Sequence, residues 1–232
     1  HTAFTLARDA YNAGIDGIII QDLGLARLLH NKIPELPLHA STQLSIHSPA
    51  ALSALKEMGF CRVVVAREMS KKDLIALCNE AKKLQMSVEV FVHGALCMCL
   101  SGQCLLSAYF GSRSGNRGLC AGPCRLPFAQ NGDGGYHLSL KDLSLLEYLQ
   151  ELGDLGVESF KIEGRMKRPE YVATVTAVYR KAIDEAIVTK PMMEALMTAF
   201  NRQGFTDGYY TSRVDHKMLG VREDTRDDPE WL

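Results

Sequence analysis

The chain has 232 residues, 47% of them hydrophobic and 23% charged, with 26 basic side chains against 27 acidic ones. That balance describes a globular protein with enough chain for one large domain or two small ones, and it excludes a uniformly cationic nucleic-acid coat while leaving room for a local basic patch. No apolar run nears the ~20 residues a membrane-crossing helix needs, and seven cysteines without a signal peptide argue against a secreted disulfide scaffold and for a reducing, cytoplasmic setting.

Read in order, the chain alternates helix-like and strand-like segments. It opens at His1, without Met, in a helical pattern, which leads us to expect an absent N-terminal portion. Strands rich in β-branched residues are expected at 15–21, 36–42, 61–67, 87–93, 136–141 and 157–162. Ser48 before Pro49, and Ser70 with Asp73 three residues on, mark helix starts, while Gly14, Gly59 and Gly156 sit where helices hand over to strands. Such βα units give a parallel sheet. The interval 94–135 is about twice as long as the others and holds five of the seven cysteines, so it reads as an insertion. Helices are expected at 169–187 and 191–202. The charged, aperiodic stretch 211–232 reads as a tail or the start of a next domain, after a domain covering 1–210.

Six βα units fit an open doubly wound sheet or most of a (β/α) barrel of the TIM type, N-terminally truncated, and side-chain alternation favours the barrel. Val88, Val90 and Val92 share one face of their strand, whereas Glu89, Phe91 and His93 share the other. His39, Ser41 and Gln43, then Ser139 and Lys141, then Ser159, Lys161 and Glu163 repeat that split. An open parallel sheet would be apolar on both faces, whereas a barrel gathers such polar residues at the mouth where its sites lie.

Within the insertion, Cys97, Cys104, Cys120 and Cys124 follow the spacing C-x6-C-x15-C-x3-C. Structural zinc usually takes two close pairs, and only Cys120 with Cys124 fits that habit, so a [4Fe-4S] cluster is preferred, with zinc as the alternative. Cys99 is ambiguous, while Cys61 and Cys78 read as small buried apolar residues. From Val90 to Gly132 there is no acidic residue, yet Arg113, Arg117 and Arg125 are present, and a second basic group runs from Lys161 through Arg165 to Arg168. Together these form either a local phosphate-binding surface or solvated charged loops. There is no H-E-x-x-H and no G-x-S-x-G. A Cys97 nucleophile with His93 is conceivable but leaves the other thiols unexplained.

At these residues the chain resembles the collagenase-like peptidases, family thirty-two of the peptidases of unknown mechanism. The likeness lies in the Glu, Phe, Gly and Cys pattern of 89–104, in Ser41-Thr42-Gln43, Ala66-Arg67-Glu68, Ser139-Leu140-Lys141-Asp142, the run 161–167, Phe200-Asn201-Arg202 and the stretch 204–209. Members begin with further βα units. The resemblance implies either proteolysis or iron–sulfur-dependent, prephenate-dependent hydroxylation of RNA, closest to the branch that hydroxylates tRNA wobble uridine; a non-catalytic RNA-binding barrel is the third reading. On that reading Cys97, Cys104, Cys120 and Cys124 ligate the cluster. Glu89, His93, Lys141, Lys161 and Glu163 form the polar inner surface, with Glu68, Gln43 and Asp142 at the same mouth and prephenate or another anionic cosubstrate among them. Arg117, Arg125 and Arg165 contact the phosphates of tRNA or ribosomal RNA. A paralogous protein is a further expected partner, and a membrane is not.

Overall fold

The computed structural model describes residues 2–130, 132–164 and 167–221. Arg165 and the end of the expected tail, 222–232, lie outside the described residues. In chain order the elements are α1 (Thr2–Asn12), β1 (Ile18–Ile20), α2 (Leu23–Lys32), β2 (Leu38–Ala40), α3 (Leu52–Glu57), β3 (Phe60–Val64), α4 (Lys71–Lys83) and β4 (Ser87–Ala95). The insertion follows with α5 (Leu106–Gly111) and a hairpin of β5 (Phe128–Gln130) and β6 (Asp133–Gly135). The chain then returns through β7 (Asp142–Ser144), α6 (Leu149–Asp154), β8 (Ser159–Ile162), α7 (Pro169–Glu185), α8 (Lys190–Thr198) and β9 (Phe205–Thr206).

The helices form where local chemistry favours them. Ser70 caps α4 by accepting the Asp73 N–H at 3.2 Å, and Leu74, Leu77, Cys78 and Ala81 recur at helical spacing on its buried face. Helix α7 starts with Pro at its first turn and buries Tyr171, Val175, Val178, Tyr179 and Ala182.

Strands β1 to β4 are parallel neighbours in that order, and β8 pairs with β4 in parallel. The βα reading is therefore correct for five strands. The expected strand at 136–141 is not formed: apart from an isolated bridge from Leu140 to Leu219, that stretch is turn and coil. The strand lies instead at β7 and runs antiparallel to the end of β4, with β9 parallel to β7. Among the described residues no pairing links the outer strands, so the sheet is open and no closed barrel is seen.

β4 is the organising strand. It touches β3, β8 and β7, and residues 88–94 are all buried. Its pairing with β8 slips between Phe91 and His93, where two β4 steps oppose one step from Lys161 to Ile162. This bulge turns His93 away from the face of Glu89 and Phe91. Just past it, Gly94 has φ +109°, and a Cβ there would press on the Glu163 backbone; only glycine lets the two strands approach this closely.

Candidate functional site

Beyond the C-terminal ends of β3, β4 and β8 lies one open cleft of about 2160 Å³. Its floor is ionic. Glu89, 7% exposed, accepts from Lys161 Nζ at 2.6 Å and from Ser159 Oγ at 2.9 Å, and Arg62 of β3 stands 3.7 Å away. Burial pushes Glu89 up, but the hydrogen bond and charge of Lys161, aided by Ser159 and Arg62, outweigh it and hold the carboxyl below its ordinary range. His39 of β2 joins this group; burial, then the charges of Arg62 and Lys161, lower its pKa against the opposing pull of Glu89.

Above that floor, the Arg67 guanidinium lies 3.8 Å over the Phe91 ring and pairs with Glu163 at 3.0 Å. Stacking and ion pair together fix its plane, and Arg67 Nε is buried without a hydrogen-bond partner among the described residues. Arg67, Phe91, Lys161 and Glu163 all line the cleft.

The insertion forms the opposite wall. Cys97, Cys104, Cys120 and Cys124 all line the cleft, and all seven cysteines are free thiols. Cys124 feels the charges of Cys97, Cys120 and Cys104, and Cys97 those of Cys120 and Cys104, so the four thiols gather on one wall. Burial raises both thiols, while Arg125 opposes it at both and Arg67 at Cys97. The Cys120 sulfur accepts the Gly122 N–H at 3.3 Å. Burial, then the neighbouring Cys104, raises the Cys99 thiol. Among the described residues no group of three or more Cys, His, Asp or Glu side chains is placed to hold a metal ion. The donor set, four unpaired thiols with an N–H to sulfur and a neighbouring cation, is chemically suited to a multi-iron cluster.

The loop carrying these thiols is clamped by the turn that follows β3. Glu68 accepts from Ser101 N at 2.9 Å and Ser101 Oγ at 2.7 Å, and Arg67 N donates to Ser101 Oγ at 3.1 Å. Gly102, at φ +79°, packs where a Cβ would collide with the Gln43 carbonyl. Glu68 and Gln43 therefore hold the loop, and Gln43 also lines the cleft.

Three expected site residues, His93, Lys141 and Asp142, sit away from the cleft, and Arg125, which lines it, is turned otherwise than expected. His93 is 1% exposed, shares its Nδ1 with the Tyr179 hydroxyl at 3.2 Å, and has no partner at Nε2 among the described residues; the bulge has carried it into a pocket of Tyr171, Tyr179 and Phe205. Lys141, in the coil before β7, donates its backbone N–H to Met218 O and packs its side chain by Gly220, away from the cleft lining. Asp142 is fully buried and held by Arg202 Nη1 at 2.8 and 2.9 Å, an internal ion pair. Arg125 is turned inward, donating to Leu140 O at 2.6 Å, to Ser139 Oγ and to Leu96 O, so its guanidinium is spent on protein carbonyls rather than on phosphate. Arg117 is exposed in the turn 115–117, as a phosphate contact requires. The sequence reading gave no role to Arg62, Arg67, Arg202 or Tyr179. Arg67 and Arg202 lay in quoted motifs, whereas nothing local marks Tyr179 as the partner of a residue 86 positions away.

Comparison with known proteins places this arrangement among the collagenase-like peptidases: the model for Peptidase family U32 matches residues 1–219, and the chain belongs to that family. The chain is 41% identical over 189 residues to the 23S rRNA 5-hydroxycytidine synthase of Escherichia coli, covering 78% of this chain and 28% of that protein. It is 35% identical over 232 residues to tRNA hydroxylation protein P1 of Bacillus subtilis, covering 90% and 54%. To a Porphyromonas gingivalis protein named collagenase it is 37% identical over 227 residues, covering 87% and 53%. The chain thus spans about half, or less, of the length of these relatives.

Proposed function

We propose that this chain carries the catalytic cleft of an RNA-hydroxylating protein that acts on pyrimidine C5, with tRNA wobble uridine as the target and ribosomal cytidine as the related one. The observation that carries this reading is that four unpaired thiols and the ionic set of Arg67, Lys161 and Glu163 open on one cleft. The names of the Escherichia coli and Bacillus subtilis relatives support it. A [4Fe-4S] cluster on Cys97, Cys104, Cys120 and Cys124 would supply electron transfer at the cleft wall. Lys161, anchored on Glu89, presents a cation to an anionic cosubstrate such as prephenate. Arg67, stacked on Phe91, gives that anion a second cation in a fixed plane. Glu89, held ionised at neutral pH, keeps Lys161 in place rather than donating a proton. A reducing, cytoplasmic location suits free thiols. The parallel run β1 to β4 with β8 is, on this reading, part of a TIM-type barrel completed by βα units outside the described residues.

Proteolysis is the second reading, favoured by the collagenase relative. The position of His93 weighs against a Cys97 nucleophile activated by it, because neither imidazole nitrogen is bonded to that thiol.

Deleting the gene should remove one hydroxylated nucleoside from hydrolysed tRNA or ribosomal RNA, as read by mass spectrometry, and Cys120→Ser or Lys161→Ala should fail to restore it. Unchanged RNA together with gelatin cleavage by the purified protein would establish the peptidase. RNA binding with no nucleoside lost would leave a non-catalytic barrel. Purified without oxygen, the protein should hold about four iron and four sulfide. Iron should be lost with Ser at Cys97, Cys104, Cys120 or Cys124 and kept in Cys61→Ser and Cys78→Ser, whereas zinc without iron would overturn the cluster.

A further inference from the structure

The insertion carries a surface that the cleft chemistry does not use. Tyr109 and Phe110, on α5, are 84% and 64% exposed, and Tyr109 is the most exposed large apolar side chain among the described residues. Leaving two aromatic rings in water forgoes the burial that such side chains normally gain, which marks a contact surface. Their rings meet edge to face with centroids 5.3 Å apart, so they are not stacked flat on each other. Arg113 follows directly after α5; its N–H donates to Ser107 O at 3.2 Å and its Nε to Leu119 O at 2.8 Å, which holds the guanidinium beside the helix. Arg117 stands exposed one turn on. No acidic residue occurs anywhere in this stretch. The start of the same segment, Leu105 to Ser107, lines the cleft beside Cys104 and Cys120.

We propose that Tyr109 and Phe110, flanked by Arg113 and Arg117, are a stacking platform for unpaired nucleotides of an RNA loop, and that the insertion thereby sets the neighbouring base over the cleft. The inference rests on the RNA reading above. An unpaired nucleotide supplies both things this surface matches, an apolar π face and a phosphate, whereas a duplex hides its base faces. A protein partner would match the rings but would not account for a stretch with arginines and no acid.

The test uses the full chain and two labelled RNAs, a hairpin with an unpaired loop and a fully paired duplex of the same composition, titrated by fluorescence anisotropy. Tyr109→Ala and Phe110→Ala should each weaken hairpin binding about tenfold and leave duplex binding unchanged, while Tyr109→Phe should bind as the wild type does. Arg113→Ala and Arg117→Ala should each lower the salt slope by about one. Tyr109→Trp should bind the hairpin with quenching of its indole emission, a readout that stands even where an alanine variant folds poorly. If the wild type binds the hairpin and the double alanine variant binds it equally well, the platform is wrong while the RNA reading survives. If the wild type binds no RNA, both fail. Self-association that the double variant abolishes, with RNA affinity unchanged, would assign the surface to a protein contact instead.

Discussion

His93 is a base held in an apolar pocket. Burial, with a smaller push from the charge of Lys167, lowers its pKa from 6.5 to about 4. The unfolded chain therefore takes up a proton between those values that the native protein refuses. Stability from a neutral His93 is complete above pH 6.5 and drains as pH falls toward 4, by about 3 kcal/mol. His93→Phe should flatten that part of the acid limb in urea titrations across this window; an unchanged limb would show that the imidazole is not buried in solution. Glu89 acts in the same direction at lower pH, since a carboxyl held below its ordinary range gives stability near neutrality and loses it on acidification. The two effects separate by pH, because the loss at Glu89 begins only near its ordinary value of 4.5.

At the scale of elements, the insertion is fastened at both flanks, by Ser101 to Arg67 and Glu68 just past β3 and by Arg125 to the carbonyls of Leu96 and Leu140. Arg125→Ala leaves those buried carbonyls without their cation and should cost about 2 kcal/mol. It should also slow alkylation of Cys97 and Cys124, whose thiols Arg125 holds down against burial, while leaving the salt slope of RNA binding untouched, the reverse of Arg117→Ala. Spacing in the sequence was enough to recover the thiol set, because four cysteines in a Gly-rich, acid-free loop leave few other uses for themselves. It also recovered four parallel strands and β8, whose β-branched runs and flanking glycines are local signals. Strand β7 was lost to the stretch before it because Leu138 and Leu140 alternate well; what places the strand later is pairing with β4, a contact across some 50 residues. Arg125 read as a phosphate ligand since nothing local says that its guanidinium turns inward.

For the whole molecule, the open sheet sets the next expectation. β1 has a single strand neighbour, and Ile19 on it is 50% exposed, with Leu6, Leu23 and Leu28 of the flanking helices also exposed. An unpaired apolar edge invites association. This chain alone should therefore unfold less cooperatively, and aggregate at lower concentration, than a version extended by preceding βα units. A sharp, reversible two-state melt of the chain alone would count against barrel completion at β1. The bulge on β4 has a consequence of its own. Up to Phe91 the strand is read in one frame, which sends Glu89 and Phe91 to the ionic floor; past it the frame has slipped, and His93 goes to the aromatic pocket. Chain length here therefore matters as much as composition. Removing Val92 alone would restore strict alternation, and the shortened strand would have to choose between seating Gly94 against Glu163 and keeping Ser101 of the cysteine loop in reach of Arg67 and Glu68.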